Sequence, residues 1–536
     1  MKRRHHCKQK PFVKRLRLST NELTVFFVVS RKSGHGKIDV SRGTDDDYKN
    51  RSKAHEMSLI ILETFVPENH LLRKVDKTLD FRFIYELVEP LYSTIGRPSI
   101  DPLVLFKLLF INHLYGYNSM RRTIEETKVN LAYRWFIGYG VEDAIPHFSD
   151  FSKNYTRKFS QSIEVVHPIT GVYETKTVFA AVFDRILSQA YHRGFIHAAH
   201  IYMDSTHIKA NANKRKAQEV IVLEERRAYQ DALDQECDAY SEKNGLSIAK
   251  PVEPEMKRIK QSIIDPQSGN FNKGDHENQF AYLAQTVCDT HGYVLGVKVN
   301  PGNLHDSRTF LPALDEVHQV FGQMIRSIGV DAGYKVPAVA RELIERKITP
   351  LMPYSRPKGR KFNEEEGSVE KKEYVYDASA DVYLCPQGKA LTPRSVDKKT
   401  GHITYRSSTS DCRHCPLRKN CLKNTATKTL TRHIWHRYLA EVERIRLTSY
   451  HVQYYPLRKQ TIERIFGDGK EKQGLRYTRY RGIAKVQDYM YLLFATMNMK
   501  KMALWETSSA LCAKFQSFFS VFMNHSTKQK RGLSFN

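Results

Sequence analysis

Two short apolar runs, Ile201-Tyr-Met-Asp204 and Ile328-Gly-Val-Asp331, each end in a carboxylate, and this repeated pattern constrains the fold more than any other feature of the chain. Such a run, apolar without alternation, marks a strand covered on both faces, so each acid is delivered to the edge of a buried sheet. Between the runs lie two further strand candidates, Gln279 to Cys288 and Tyr293 to Val299, joined by Asp289-Thr-His-Gly292, which has the residue types of a hairpin turn. A helix is expected from Ser307 to Phe321, ahead of the second acid. Beyond it the pattern predicts a helix from Pro337 to Arg346, a strand from Thr349 to Met352 and a basic helix around Glu463.

The charge narrows the partner. Lys plus Arg number 85 against 58 Asp plus Glu, a formal net charge of +27 over 536 residues, which exceeds what solubility asks for and implies a polyanion. No apolar run approaches the ~20 residues of a membrane-spanning helix, so the expected partner is DNA and not a membrane. The basic start, Met1-Lys-Arg-Arg-His-His, lacks the apolar centre of a secretory signal, and a cytoplasmic location is expected.

A chain of this length is expected to divide into several units. Residues 1–56 read as a basic arm, or as sequence upstream of a true start at Met57. Residues 57–165 carry apolar positions at helical spacing, including Leu103 to Leu114, and a segment with a basic face that follows the N-cap candidate Ser119. Arg121 and Arg122 there, with Arg134, Arg157 and Lys158, are compatible with a helix-turn-helix that grips DNA. A helical bundle with an ordinary solvated face is the other reading. The sheet is expected over 190–355, interrupted by a charged, helical insertion at 214–264, and to be completed over 440–505. Residues 370–425 form a cysteine-bearing insertion, and 506–536 a tail. The succession strand, strand, strand, helix, strand is that of an RNase H-like core of α/β class with a mixed sheet.

Cutting a phosphodiester requires an activated oxygen nucleophile, neutralised charge and a stabilised leaving oxygen, work that paired magnesium ions can do. Such hard cations take oxygen ligands, and Asp204, Asp331 and Glu463 are the candidates. Around the third acid, one continuous helix would place Lys459, Glu463 and Lys470 on one face, a site for DNA phosphate. The following Arg476-Tyr-Thr-Arg479-Tyr-Arg481-Gly482 alternates cations with aromatics, as a nucleic-acid-tracking surface does. His305 and Asp306 could tune such a site or cap the helix that starts at Ser307, and the cap is favoured because Asp and Ser are good helix-start residues.

These residues resemble a known family. Tyr202-Met-Asp-Ser-Thr-His-Ile-Lys-Ala-Asn-Ala-Asn213, Pro301-Gly-Asn-Leu-His-Asp-Ser307, Gly329-Val-Asp-Ala-Gly-Tyr334 and Thr461-Ile-Glu-Arg-Ile-Phe-Gly-Asp-Gly-Lys470 look like the DDE transposases of bacterial insertion sequences, over about residues 57 to 505. The resemblance implies that Asp204, Asp331 and Glu463 bind magnesium or manganese and act at terminal inverted repeats, with a homodimer pairing two ends. Relatives place Tyr, Arg, Glu and Lys around the third acid at spacings of two, three and six. Here Lys459 stands where Arg is expected and Pro456 where Tyr is expected, with Tyr455 a neighbour that could serve.

Cys385, Cys412, Cys415 and Cys421, with one CxxC pair, suit a structural tetrahedral zinc, and free thiols in a small core are the alternative. Besides a transposase, two function classes fit the chain: a metal-dependent nuclease that does not join strands, and a DNA-binding protein without chemistry. The last leaves the acids without a role.

Overall fold

The computed structural model describes residues 61–505 except 93–98, 118, 224–226, 228, 252, 254, 274–276, 355–368, 370 and 423. The expected arm, the alternative start at Met57 and the tail beyond 505 therefore lie outside the described residues.

The first described part is helical: α1 (Leu62–Phe65), α2 (Leu71–Thr78), α3 (Phe83–Val88), α4 (Pro102–Leu114), α5 (Met120–Val129), α6 (Leu131–Ile137) and α7 (Phe148–Asn154). The helix starts follow from capping chemistry. Asp101 accepts from the Leu103 N–H ahead of Pro102, and Ser119 accepts from the Arg122 N–H, as its residue type predicts. Helix α4 is apolar almost all round and correspondingly buried, with Leu105, Phe106, Leu108, Phe110 and Ile111 at 0% exposure. Arg134 departs from expectation. It is buried and donates to the carbonyls of Lys128, Gly140 and Asp143, so it ties a loop together instead of facing DNA.

A hairpin, β1 (Ser162–Val166) and β2 (Tyr173–Thr177), leads through α8 (Val178–His192) into the main sheet. Its strands are β3 (His200–Lys209), β6 (Gly269–Lys273), β7 (Glu277–Asp289), β8 (Val294–Pro301), β9 (Ser327–Gly329) and β10 (Thr349–Leu351). Across the sheet the order is β10, β9, β3, β7, and the far edge of β7 carries β6 at one end and β8 at the other. Strands β3, β7 and β8 run antiparallel, whereas β9 and β10 join β3 in parallel. The parallel pairs need crossover connections, supplied by α10 (Asp306–Phe321) and α11 (Pro337–Glu345). The Asp289–Gly292 turn closes the β7–β8 hairpin as predicted, with Gly292 at φ +74°.

Gly302, between β8 and α10, passes so close to β7 that a Cβ would lie 2.5 Å from the Ala281 carbonyl oxygen. Backbone cannot move aside as a flexible side chain can, so Gly302→Ala is expected to cost about 1–3 kcal/mol of stability. A lower urea midpoint at unchanged m-value would show it.

The stretch 214–264 is not the helical insertion that its charge pattern suggests. It is a two-stranded ribbon, β4 (Ala217–Leu223) with β5 (Met256–Ser262), and among its described residues only α9 (Gln230–Lys243) is helical. The run Val220, Ile221 and Val222 of β4 favours a strand over the helix that the surrounding charges imitate. The cysteine-bearing insertion is also a sheet, of β11 (Val375–Asp377), β12 (Val382–Leu384), β13 (Ala390–Asp397), β14 (His402–Ser407) and β15 (Thr429–His433), with short helices α12 (Thr409–Arg413) and α13 (Arg418–Cys421). Helix α9 docks on it. The Gln230 amide donates to the Lys398 carbonyl and the Tyr240 hydroxyl to Asp381, which also accepts from Tyr376 and Tyr405.

The chain then returns to the main sheet through α14 (His436–Arg446), α15 (Ser449–Tyr454), a 3-10 turn (Tyr455–Lys459), α16 (Ile462–Lys472) and a helix over residues 483–505, α17. No helix among the described residues is long and apolar enough to cross a membrane.

Candidate active site

The register of the parallel pair sets the site. Tyr202 on β3 faces Gly329 on β9, so Asp204 and Asp331, each two residues further on, stand at the same level. Asp331 lies just past the end of β9, but Asp204 is not at the expected strand end, since β3 continues to Lys209 and Asp204 pairs with Thr286 of β7. Helix α16 packs on β3 and β7 through Ile462, Ile465 and Phe466, all buried, which holds Glu463 near the same edge. Beyond β9 the chain turns sharply, with the Gly333 N–H donating to Asp331 Oδ1 at 2.8 Å.

A fourth carboxylate joins them. Asp306, the first residue of α10, accepts a 2.7 Å hydrogen bond from the Ser205 hydroxyl, beside Asp204. A Cβ on Gly333 would sit 3.1 Å from Asp331 Oδ1 and 3.5 Å from Asp306 Oδ2, so glycine there leaves room for both acids. The cap of α10 is His305, which accepts from the Ser307 N–H. His305 thus takes the capping role, while Asp306 turns toward the acids.

The residue that sequence reasoning missed is Arg458. Its side chain is only 8% exposed, and Nη2 lies 2.7 Å from Asp204 Oδ2 while Nη1 lies 3.9 Å from Glu463 Oε1. Burial works against its charge, but Asp204 foremost, then Tyr455 and Asp331, outweigh that and raise its pKa. Its Nε is buried with no hydrogen-bond partner among the described residues. A signal was present in the sequence. Tyr455 and Arg458 keep the order Tyr then Arg, each one position earlier in the chain than the pair Pro456 and Lys459 that occupies the expected frame.

That shift corrects the expected single helix around Glu463. The 3-10 turn ends at Lys459, and Thr461 at φ −108°, ψ −95° breaks the chain before α16 begins at Ile462. Lys459 therefore does not share a helical face with Glu463; it is exposed on the preceding turn, and Arg458 points inward in its place. Lys470 does stand on the Glu463 helix, seven residues on.

Asp204 is 18% exposed, and its pKa is pushed up to about 6. Burial is the main cause, with Asp331 and Asp306 adding to it, against the opposing pull of Arg458 and of the Ser205 N–H. A carboxyl whose folded pKa lies above its unfolded value disfavours the folded state once it ionises, so the metal-free protein should lose stability as pH rises from about 4 through about 6. A divalent cation binding the carboxylate form opposes that loss. Magnesium should therefore raise the melting temperature more at pH 8 than at pH 5, and an equal rise at both would count against cation binding at Asp204.

The partly buried carboxylates of Asp204, Asp306 and Asp331 and the exposed one of Glu463 are hard-oxygen donors of the kind magnesium takes, so in chemistry the group fits a divalent ion. Among the described residues, no three His, Cys, Asp or Glu side chains converge tightly enough to hold an ion as they stand. In this arrangement Arg458 is the cation that meets Asp204. The same criterion bears on the cysteines, which form no zinc cage. Cys421 contacts the Tyr374 hydroxyl at 2.9 Å, Cys412 the Ser407 hydroxyl at 3.1 Å, and Cys385 the Lys389 N–H at 3.4 Å. Each of these three thiols has a local partner, although burial foremost, then Cys421, Cys385 and Cys412, raises the Tyr374 pKa.

The other predicted DNA contacts fall into two places. Arg121 stacks on Phe148 at 4.4 Å and lines, with Arg479 and Tyr480, a cleft of about 470 Å³ between the helical part and the segment after α16. Arg122 is exposed near Glu126, and Arg476 pairs with Glu471. Arg481 donates to the Asn211 carbonyl beyond β3. The segment itself runs alongside the end of β3, with the Lys209 N–H bonded to the Arg476 carbonyl and the Thr478 N–H to that of Lys209.

Comparison with known families agrees with the two ends of this architecture. Residues 60–157 match the family described as Transposase domain (DUF772), and residues 384–503 match Transposase DDE domain. Together they support a DDE transposase of the insertion-sequence type. Among curated proteins nothing matches the chain.

Proposed function

We propose that the protein binds the terminal inverted repeats of an insertion sequence and cuts and joins DNA there, with Asp204, Asp331 and Glu463 as the acids of the site. The observation that carries this reading is the common level of Asp204 and Asp331 on parallel-paired strands, with the Glu463 helix packed against β3. The strand order β10, β9, β3, β7, β8 supports an RNase H-like core, and the net charge of +27 supports a DNA substrate. Residues 60–157 serve as the DNA-binding helical domain, and the working form is a homodimer that pairs two ends.

The three acids would hold magnesium or manganese, which when bound supplies charge neutralisation and activation of an oxygen nucleophile. The protein's own part is orientation. Arg458 holds the Asp204 carboxylate in place and keeps net charge at the site low until substrate arrives. The Ser205–Asp306 hydrogen bond ties β3 to the start of α10 from the other side, and Lys470 supplies positive charge on the Glu463 helix for a phosphate.

The test is incubation of the full chain with a duplex that ends in the terminal repeat, in magnesium or manganese. Nicked and joined products are expected. Nicking that never yields a joined product would replace the transposase by a nuclease, and binding without nicking would leave a DNA-binding protein.

A further inference from the structure

A cleft of about 660 Å³ opens at Lys209, five residues beyond Asp204 on β3 and about 17 Å along the strand. Lys209, Lys214, Arg481, Asn211, Asn278 and Gln279 line it. That volume falls within the range of ligand sites. The walls are cations and amides, with no carboxylate among the lining residues. Among the described residues, none of the three cations is engaged in an ion pair; Arg481 spends one N–H on a backbone carbonyl. Isolated surface lysines are ordinarily just solvated, but cations gathered in a concavity with no carboxylate among its walls are not an ordinary solvated face.

A second observation indicates what enters. The ribbon of β4 and β5 springs from the rim of this cleft, since Lys214 precedes β4 and Ile264, another lining residue, follows β5. Among the described residues the ribbon pairs with no other strand. Strand alternation puts Ile221, Leu223, Met256, Arg258 and Lys260 on one face, with Glu219 opposite Lys260, and the three apolar members are 61%, 59% and 70% exposed. A face that mixes cations with exposed apolar side chains suits phosphates and thymine methyl groups together. A two-stranded ribbon is also of a width that the DNA major groove admits.

We propose that the cleft and the ribbon form a DNA-duplex subsite outside the acid site, with phosphates on Lys209, Lys214 and Arg481 and the ribbon in the major groove. The subsite rests on the reading of the protein as a DNA-cutting enzyme and adds where the flanking duplex lies. It also gives a role to an excursion that the strand order of the sheet does not require.

The experiment is an anisotropy titration of the full chain, without metal, on a labelled duplex ending in the terminal repeat, at a series of salt concentrations. Lys209→Gln with Lys214→Gln is expected to reduce the slope of log K against log salt by about 2, one for each phosphate that is no longer neutralised. Arg258→Gln with Lys260→Gln should reduce it by a similar amount. Lys209→Arg with Lys214→Arg should keep the wild-type slope. A wild type that binds the duplex while both Gln pairs leave its slope unchanged overturns the subsite but not the enzyme. A slope that falls on single strands alone overturns the duplex assignment. A wild type that binds no DNA overturns the reading beneath it as well.

Discussion

Arg458→Ala is expected to destabilise the metal-free protein by about 3–5 kcal/mol at pH 8, the loss that follows when one member of a buried ion pair is removed and the other stays behind. Asp204 is the member left behind, at 2.7 Å from the missing guanidinium and already held by burial at a pKa of about 6. Because Arg458 is the main influence lowering that pKa, its removal raises it further, and the carboxyl can shed its charge by taking a proton. The destabilisation should therefore shrink at pH 5, where the orphaned Asp204 is neutral. Arg458→Lys should recover only part of the loss, since one ammonium cannot reach toward both Asp204 and Glu463 as a planar fork does. In a double-mutant cycle, Asp204→Ala with Arg458→Ala should be less damaging than the sum of the two. Urea unfolding at the two pH values measures all of this. A loss that is the same at pH 5 and pH 8 would mean that Arg458 contributes packing and not charge compensation.

Much of the site is legible in the residues, and what is not is hidden for identifiable reasons. The apolar runs before Asp204 and Asp331 are strands because buried parallel pairing tolerates unbroken hydrophobicity, and the hairpin after β7 announces itself in Asp289 to Gly292. Arg458 stays hidden because local periodicity cannot see the break at Thr461, a backbone conformation with no side-chain signature nearby. The ribbon of β4 and β5 reads as helix because its charged outer positions and the true helix between them share one composition. The cysteine-bearing sheet escapes for a different reason. Metal-like spacing makes the four thiols conspicuous, whereas the core of that unit is built from Tyr376, Tyr383 and Tyr405, with two of their hydroxyls gathered on Asp381.

Substituting the acids one at a time should separate ligand from neighbour. Asp204→Ala, Asp331→Ala and Glu463→Ala are each expected to lower metal-dependent strand cleavage by at least about 10²–10³-fold, the scale seen when a single group stabilising transition-state charge is lost. Duplex binding in the absence of metal should persist in all three, because removing a carboxylate from a basic surface does not weaken its grip on phosphate. Glu463 is the most informative of them. It is 48% exposed and 3.9 Å from Arg458, which stays paired with Asp204 at 2.7 Å, so its loss leaves no unpaired buried charge and should cost little stability. A cleavage defect in Glu463→Ala with unchanged melting temperature would therefore be chemical in origin. Asp306→Ala provides the contrast. Its carboxylate faces Asp204 and Asp331 but is held by the Ser205 hydroxyl, so cleavage should fall less than with the other three. Should Asp306→Ala abolish cleavage while Glu463→Ala retains it, the third ligand lies on α10 and not on α16, and the chemistry would have to be rebuilt around Asp204, Asp306 and Asp331.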